Sequence, residues 1–179
     1  MSIRKLKTIE IQRLSLDAYR QASKTPLTVV LDDVRSMHNV GSVFRTCDAF
    51  RIERILLCGI TPMPPSAEIH KTALGAEDSV EWMHFDRCED AISWLRNHNH
   101  RIYCLEQAEG SVDLDSFIVP EGADALALVL GNEVKGVHQS VIDLSDGCIE
   151  IAQYGTKHSL NVSVAAGIAI YSITKLLNS

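Results

Sequence analysis

Short apolar runs recur along the chain, each followed by a polar or glycine-containing turn and then by a stretch with helical spacing. LTVVLDDV (27–34), RILLC (54–58), RIYCLEQ (101–107), ALALVLGNE (125–133) and CIEIAQY (148–154) are too short for helices. Their content of Val, Ile and Leu between turn residues reads as buried strand. Helices are expected over 39–50 (NVGSVFRTCDAF, with Asn39 as N-cap), 88–100, 137–145 and 160–177. A proline-punctuated loop, 61–76, leads into a further short helix. Ahead of Pro26, the spacing of Ile9, Ile11, Leu14, Leu16 and Tyr19 predicts an amphipathic helix over 8–22. Strands alternating with helices predict an α/β fold with a mostly parallel sheet flanked by helices. With no repeat and no linker-like stretch, the 179 residues are expected to form one domain, 1–179, with 1–24 as a basic N-terminal extension.

Composition narrows the class. The formal charge of −6 argues against a sequence-indifferent nucleic-acid coat. The first 24 residues, however, carry six cations against two carboxylates, net +4, which leaves −10 for the rest. That segment can contact an RNA backbone, or it can be an ordinary surface or dimer helix. Five cysteines, widely spaced and without a CxxC pair, suit neither a disulfide framework nor a zinc site, and no metal-ligand cluster is expected. No signal-peptide core and no apolar run of membrane-spanning length is evident, so a cytoplasmic protein is expected.

In parallel α/β sheets, ligands sit beyond the carboxyl ends of the strands. That rule selects the loops 33–39, 105–110, 131–136 and 152–161. LGNEVKG carries two glycines five apart, but Val137 and His138 follow where a P-loop needs Ser or Thr after lysine. GxGxxG, GxSxG and HExxH are absent, which argues against dinucleotide, serine-hydrolase and zinc-protease chemistry. Glu133 in this turn is either a solvated carboxylate or a site group. Asn39 and Arg45 are either a cap and a structural ion pair or groups that meet an anion. In GTKHSLNVSVAAGIAIY (155–171), Ser159 and Asn161 flank Leu160 at the mouth of the most apolar helix. Capping explains one polar residue there and not both. The alternative is that Ser159 and Asn161 face a site and Leu160 forms an apolar wall for a flat ligand.

Taken together, NVGSVFRT, LVLGNEVKGV and SLNVSVAAGI, in this order and at these separations, resemble the three motifs of the SpoU/TrmH branch of the SPOUT superfamily. These are S-adenosylmethionine-dependent RNA 2′-O-ribose methyltransferases. The likeness runs from about residue 27 to 177 and includes EIHKTALGAEDSV. It implies a C-terminal deep trefoil knot, a homodimer whose sites are completed by the partner subunit, and S-adenosyl-L-methionine as methyl donor. By position it implies cofactor contacts at Leu105, Gly131, Ile151 and Leu160. The implied catalytic set is Arg45, Asn39, Glu133, Ser159 and Asn161. In family terms Arg45 activates the 2′-hydroxyl, although a guanidinium better suits gripping phosphate and stabilising oxyanion charge. Glu133 is the carboxylate that can take or relay the proton. The small residues Ala165, Ala166, Gly167 and Ala169 are expected to allow close helix packing across the dimer. Where the family commonly has proline after the isoleucine of its third motif, this chain has Ala152, which frees the backbone there. Ribosomal-RNA members of the branch often carry an extra N-terminal RNA-binding domain, for which this chain is expected to have no room, and compact members act mainly on tRNA. The resemblance therefore implies structured RNA, with tRNA favoured over rRNA, as substrate, without metal or membrane. A catalytically silent RNA-binding or assembly factor on the same fold is the alternative.

Overall fold

The most apolar strand sequences lie at the centre of the sheet. In the computed structural model, which describes residues 3–7, 10, 11 and 13–178, β1 (Thr25–Asp32) and β6 (Ala125–Leu130) are neighbours. β2 (Ile52–Cys58), β3 (Glu81–Phe85), β4 (His100–Leu105), β5 (Val112–Asp113) and β7 (Gly147–Glu150) complete a sheet of order β3-β2-β1-β6-β4-β7-β5. Each of its pairings is parallel. Leu27 pairs with Leu126 and Leu31 with Leu130, so strand ends 31 and 130 reach the same edge.

Both faces are covered, which is why β1 and β6 read as unbroken apolar runs. Val29, Leu31, Leu128 and Leu130 point into one core. That core is closed by α1 (Leu16–Gln21), α2 (Met37–Ala49), α3 (Ala67–Ala73), α4 (Ala76–Ser79) and α7 (Val162–Leu177). Val30, Ala127 and Val129 point the other way, against α5 (Cys88–Asn97) and α6 (Gln139–Asp143). All five cysteines are buried and free. No described helix is long and apolar enough to cross a membrane.

Three expectations need correction. Among the described residues, the α-helix expected over 8–22 runs from Leu16 to Gln21, capped by Ser15, whose Oγ accepts from the Ala18 N–H at 3.2 Å. Ile11, Leu14 and Leu16 are exposed and only Tyr19 is buried, so nothing outside the segment repays the cost of helix nucleation. Ile9 lies outside the described residues. Second, Ser36, not Asn39, caps α2. Third, β3 was not expected. EWMHF lies at the sheet edge and is only half-buried, and its polar positions hide it from an apolar-run criterion.

The connection after β7 positions the site. β7 lies beyond β4, yet the next helix, α7, packs on α2 and β1. Residues 151–161 therefore run back across the carboxyl ends of β4 and β6, enclosing a space between loop and sheet.

Candidate active site

That space is a cavity of about 520 Å³, within the ~300–1,000 Å³ typical of small-molecule sites. Its floor is the ends of β4 and β6, at Leu105 and Leu130, and its far wall is Ser159 to Val162 with Ala165. All four expected cofactor contacts, Leu105, Gly131, Ile151 and Leu160, line it. So do Glu133, Ser159 and Asn161 of the expected catalytic set. Gln107 Nε2 donates to the His158 carbonyl at 3.3 Å and ties the 105–110 loop to the 151–161 loop across the mouth.

The turn after β6 is built by Asn132, which sequence reading did not single out. It is buried, and its backbone exchanges two hydrogen bonds with Gly136, at 3.0 and 2.9 Å. Its Oδ1 accepts from the Val134 and Lys135 N–H groups, and its Nδ2 donates to the Asp33 carbonyl at 2.7 Å. An asparagine that bonds the backbone two residues on is a recognisable turn signal. Gly131 is needed because a Cβ there would lie 2.1 Å from the Gly136 carbonyl carbon and the Val137 nitrogen. The turn thus closes tightly on itself and presents Glu133 at its tip.

Glu133 meets the start of α2. Its Oε1 accepts from the Ser36 N–H at 3.2 Å and from Asn39 Nδ2 at 3.0 Å, and its Oε2 accepts from the Arg35 N–H at 3.2 Å. Burial pushes its carboxyl up. Hydrogen bonds from its own N–H, Asn39, Arg35 and Ser36 outweigh that and hold it below the usual carboxylate range. Because Ser36 caps α2, the Asn39 side chain is free of capping. Its Oδ1 accepts from Asn161 Nδ2 at 3.2 Å. Asn161 in turn caps α7, its Oδ1 accepting from the Ser163 N–H at 2.9 Å and Ser163 Oγ at 2.7 Å. One polar chain, Glu133–Asn39–Asn161, therefore joins three segments from distant parts of the sequence. Of the pair that flanks Leu160, Asn161 both caps and links, and Ser159 lines the cavity.

Arg45 is not brought to the cavity of its own chain. It is exposed in a shallow groove on α2 with Ser42, Thr46, Phe50, Lys71 and Thr72, and no hydrogen bond or ion pair holds it among the described residues. The structural ion pair that was the alternative for Arg45 is thus not formed among the described residues. Six residues advance a helix by about 9 Å and turn it by about 120° from the starting direction. If Asn39 faces Glu133, Arg45 faces away.

The expected small-residue packing face is also corrected. Ala166 and Ala169 are buried in the chain's own core and Ala165 lines the cavity. The outward face of α7 is Val164, Ile168 and Tyr171, at 51%, 40% and 50% exposure. Tyr171 packs edge-on against Phe50 in the Arg45 groove, with ring centroids 5.9 Å apart.

Behind the cavity the fold assembles a cluster that the sequence did not reveal. His138 Nδ1 lies 2.9 Å from Asp32 Oδ2, and its Nε2 lies 3.7 Å from Asp33 Oδ2. The His138 N–H also donates to Asp32 Oδ2, at 3.0 Å. These ligand-type atoms lie within 4.8 Å of one another, although His138 is 106 residues from Asp32. The contacts pin the start of α6 to the end of β1. In the N-terminal extension, Arg4 pairs with Glu10 at 2.7 Å and Arg20 donates to the Asp78 carbonyl.

The sequence and the fold have known counterparts. The model of the SpoU rRNA Methylase family matches residues 26–171. An uncharacterised tRNA/rRNA methyltransferase of Borreliella burgdorferi is 31% identical over 150 residues, 84% of this chain and 64% of that protein. The tRNA (guanosine(18)-2′-O)-methyltransferase of Aquifex aeolicus is 29% identical over 81% of this chain and 67% of its own length. The chain thus spans about two thirds of these curated relatives. The AdoMet-bound rRNA methyltransferase structure from Sinorhizobium meliloti superposes with a TM-score of 0.79, at 28% identity over 90% of this chain and 61% of that one. The matched segment takes in the α2 start, the Glu133 turn and the Asn161 cap together, and the chain belongs to the SpoU rRNA Methylase family.

Proposed function

We propose that the protein transfers a methyl group from S-adenosylmethionine to a ribose 2′-oxygen of structured RNA, with tRNA favoured over rRNA. The observation that carries this reading is the Glu133–Asn39–Asn161 chain at the rim of a cavity lined by all four expected cofactor residues. The cavity chemistry suits the donor. Leu105, Leu130, Ile151 and Leu160 offer an apolar slot for a flat base, and loop carbonyls and side-chain polar groups surround it. When bound, S-adenosylmethionine supplies a methyl carbon already activated by its sulfonium.

The protein's part is then alignment and charge. The 2′-oxygen bonds to the methyl carbon as the sulfur–carbon bond breaks, the electron pair stays on sulfur, and the hydroxyl proton leaves past the adjacent substrate phosphate to solvent water. Glu133 is poorly suited to hold that proton, since backbone and Asn39 donors occupy both its oxygens and lower its basicity. It orients Asn39, and Asn39 and Asn161 with Ser159 orient the ribose. Arg45 grips the phosphate and stabilises the developing oxyanion. Because Arg45 lies outside the cavity of its own chain, it acts in the site of a second copy. The apolar face Val164–Ile168–Tyr171, continuous with the Arg45 groove, supports such a homodimer.

This reading includes a single domain over 1–179 whose 151–161 crossing closes a trefoil knot, a cytoplasmic location, and no metal in the reaction. The basic residues of 1–24 not used internally are offered to RNA backbone. The test is incubation of the purified protein with methyl-labelled S-adenosylmethionine and, separately, unmodified total tRNA and rRNA, followed by alkaline hydrolysis. Label in alkali-resistant dinucleotides supports the reading and reports the RNA class. Label in mononucleotides means base methylation and overturns it.

A further inference from the structure

We propose that Glu106 reads the ribose hydroxyls of the methyl donor's adenosyl group and so fixes its nucleoside half in the cavity. The inference rests on the reading that this cavity takes S-adenosylmethionine.

Glu106 follows Leu105 at the end of β4, and its N–H donates to the Ile149 carbonyl at 3.0 Å, which locks its backbone to β7. Its side chain lines the cavity. Oε2 accepts from the Val137 N–H and Oε1 from the Gln107 N–H, each at 3.0 Å. The carboxylate is thus held in one orientation by two backbone donors. Each carboxylate oxygen has about two acceptor directions, so each retains one.

The neighbouring turn is shaped around it. Gly136 has φ +69°, and a Cβ there would lie 2.1 Å from Glu106 Oε2. Any side chain at 136 would displace the carboxylate, so the glycine serves this contact as well as the turn.

Position decides what Glu106 can read. In the sheet, β6 lies between β1 and β4. Glu133 reaches the β1 side of the turn after β6, where the catalytic polar chain lies, and Glu106 approaches the same turn from the β4 side. A ligand whose reacting carbon is beside Asn161 therefore presents a non-reacting part to Glu106. Leu105 and Ile151, beside Glu106, supply the apolar surface that suits an adenine, and the sugar comes next along the nucleoside. A fixed carboxylate with one free acceptor direction on each oxygen matches a vicinal diol, the use that acidic residues serve in dinucleotide folds. The amino-acid carboxylate of the donor is repelled from this point and must lie elsewhere.

The test is calorimetric binding of S-adenosylhomocysteine and of its 2′-deoxy and 3′-deoxy forms to the wild-type protein and to Glu106→Gln, with thermal unfolding of both. Glutamine keeps the shape and still accepts from the Val137 N–H, so the fold is expected to survive. In the wild type, loss of a hydroxyl is expected to weaken binding about tenfold. In Glu106→Gln the parent compound binds more weakly and the deoxy penalty shrinks to about twofold or less. The ratio within each protein is insensitive to a general loosening of the site. An equal penalty in both proteins, or none in the wild type, overturns the assignment. Failure of the wild type to bind S-adenosylhomocysteine at all removes the cofactor reading and this inference with it.

Discussion

Two residues of one helix have opposite surroundings. Asn39, in the first turn of α2, is bonded to Glu133 on one side and Asn161 on the other, within its own chain. Arg45, in the third turn, is exposed in an open groove and its side chain is bonded to nothing among the described residues. The first is held in place before any ligand arrives. The second carries a charge with no counterpart among the described residues, and the proposed reading supplies one from substrate phosphate. On the proposed reading, the positioning groups are separate from the charge-stabilising group, and association becomes a condition of chemistry.

The largest expected effect is on the unpartnered side. Arg45→Ala should lower methyl transfer by about 100-fold or more, the scale for removing one charge-stabilising donor. Its thermal stability should stay within about 0.5 kcal/mol of wild type, because an exposed side chain with no hydrogen bond or ion pair among the described residues is removed. If activity persists, the separation described above is wrong. Next is Ile168→Asp, which places a charge on the outward face of α7. It is expected to give monomers in sedimentation velocity and to abolish transfer while leaving S-adenosylhomocysteine binding within about threefold of wild type, since the cavity is unchanged. An active monomer would show that Arg45 serves its own chain.

On the internally satisfied side, effects should be smaller and shared between stability and activity. Asn39→Ala leaves Glu133 and Asn161 each short of a partner and should cost about 1 kcal/mol of stability, with roughly tenfold lower transfer. Urea denaturation and initial rates measure the two. The smallest effect is a pH dependence. Glu133 has a lowered folded-state pKa, so its contribution to stability is present above the ordinary carboxylate range and is lost as pH falls through the folded-state value. Glu133→Gln should therefore flatten the acid limb of a stability–pH curve. An unchanged limb would place the acid sensitivity elsewhere.

Much of the frame was legible from order and spacing. β1, β6 and α7 follow from apolar runs because a parallel sheet buries both faces and because α7 is apolar on its outward face, Val164–Ile168–Tyr171, as well as its inward one. The cavity residues Leu105, Gly131, Ile151 and Leu160 were reachable because ligands lie at strand ends, with the resemblance fixing which residues. β3 was missed because edge position permits polar residues. The role of Ser36 was missed because Asn39 is an equally good cap by chemistry, and only backbone geometry separates them.

By itself the sequence determined the layered α/β order, the loops that carry chemistry and the residue types that make a transferase plausible, since these depend on local propensity and on spacing along one chain. The tertiary structure alone decided that Asn132 and Glu106 shape the cavity, that Asp32 meets His138, and that Arg45 turns away from Glu133. Each of these depends on distances between segments tens of residues apart or on rotation about a helix axis. Those are set when the sheet and its two cores pack together.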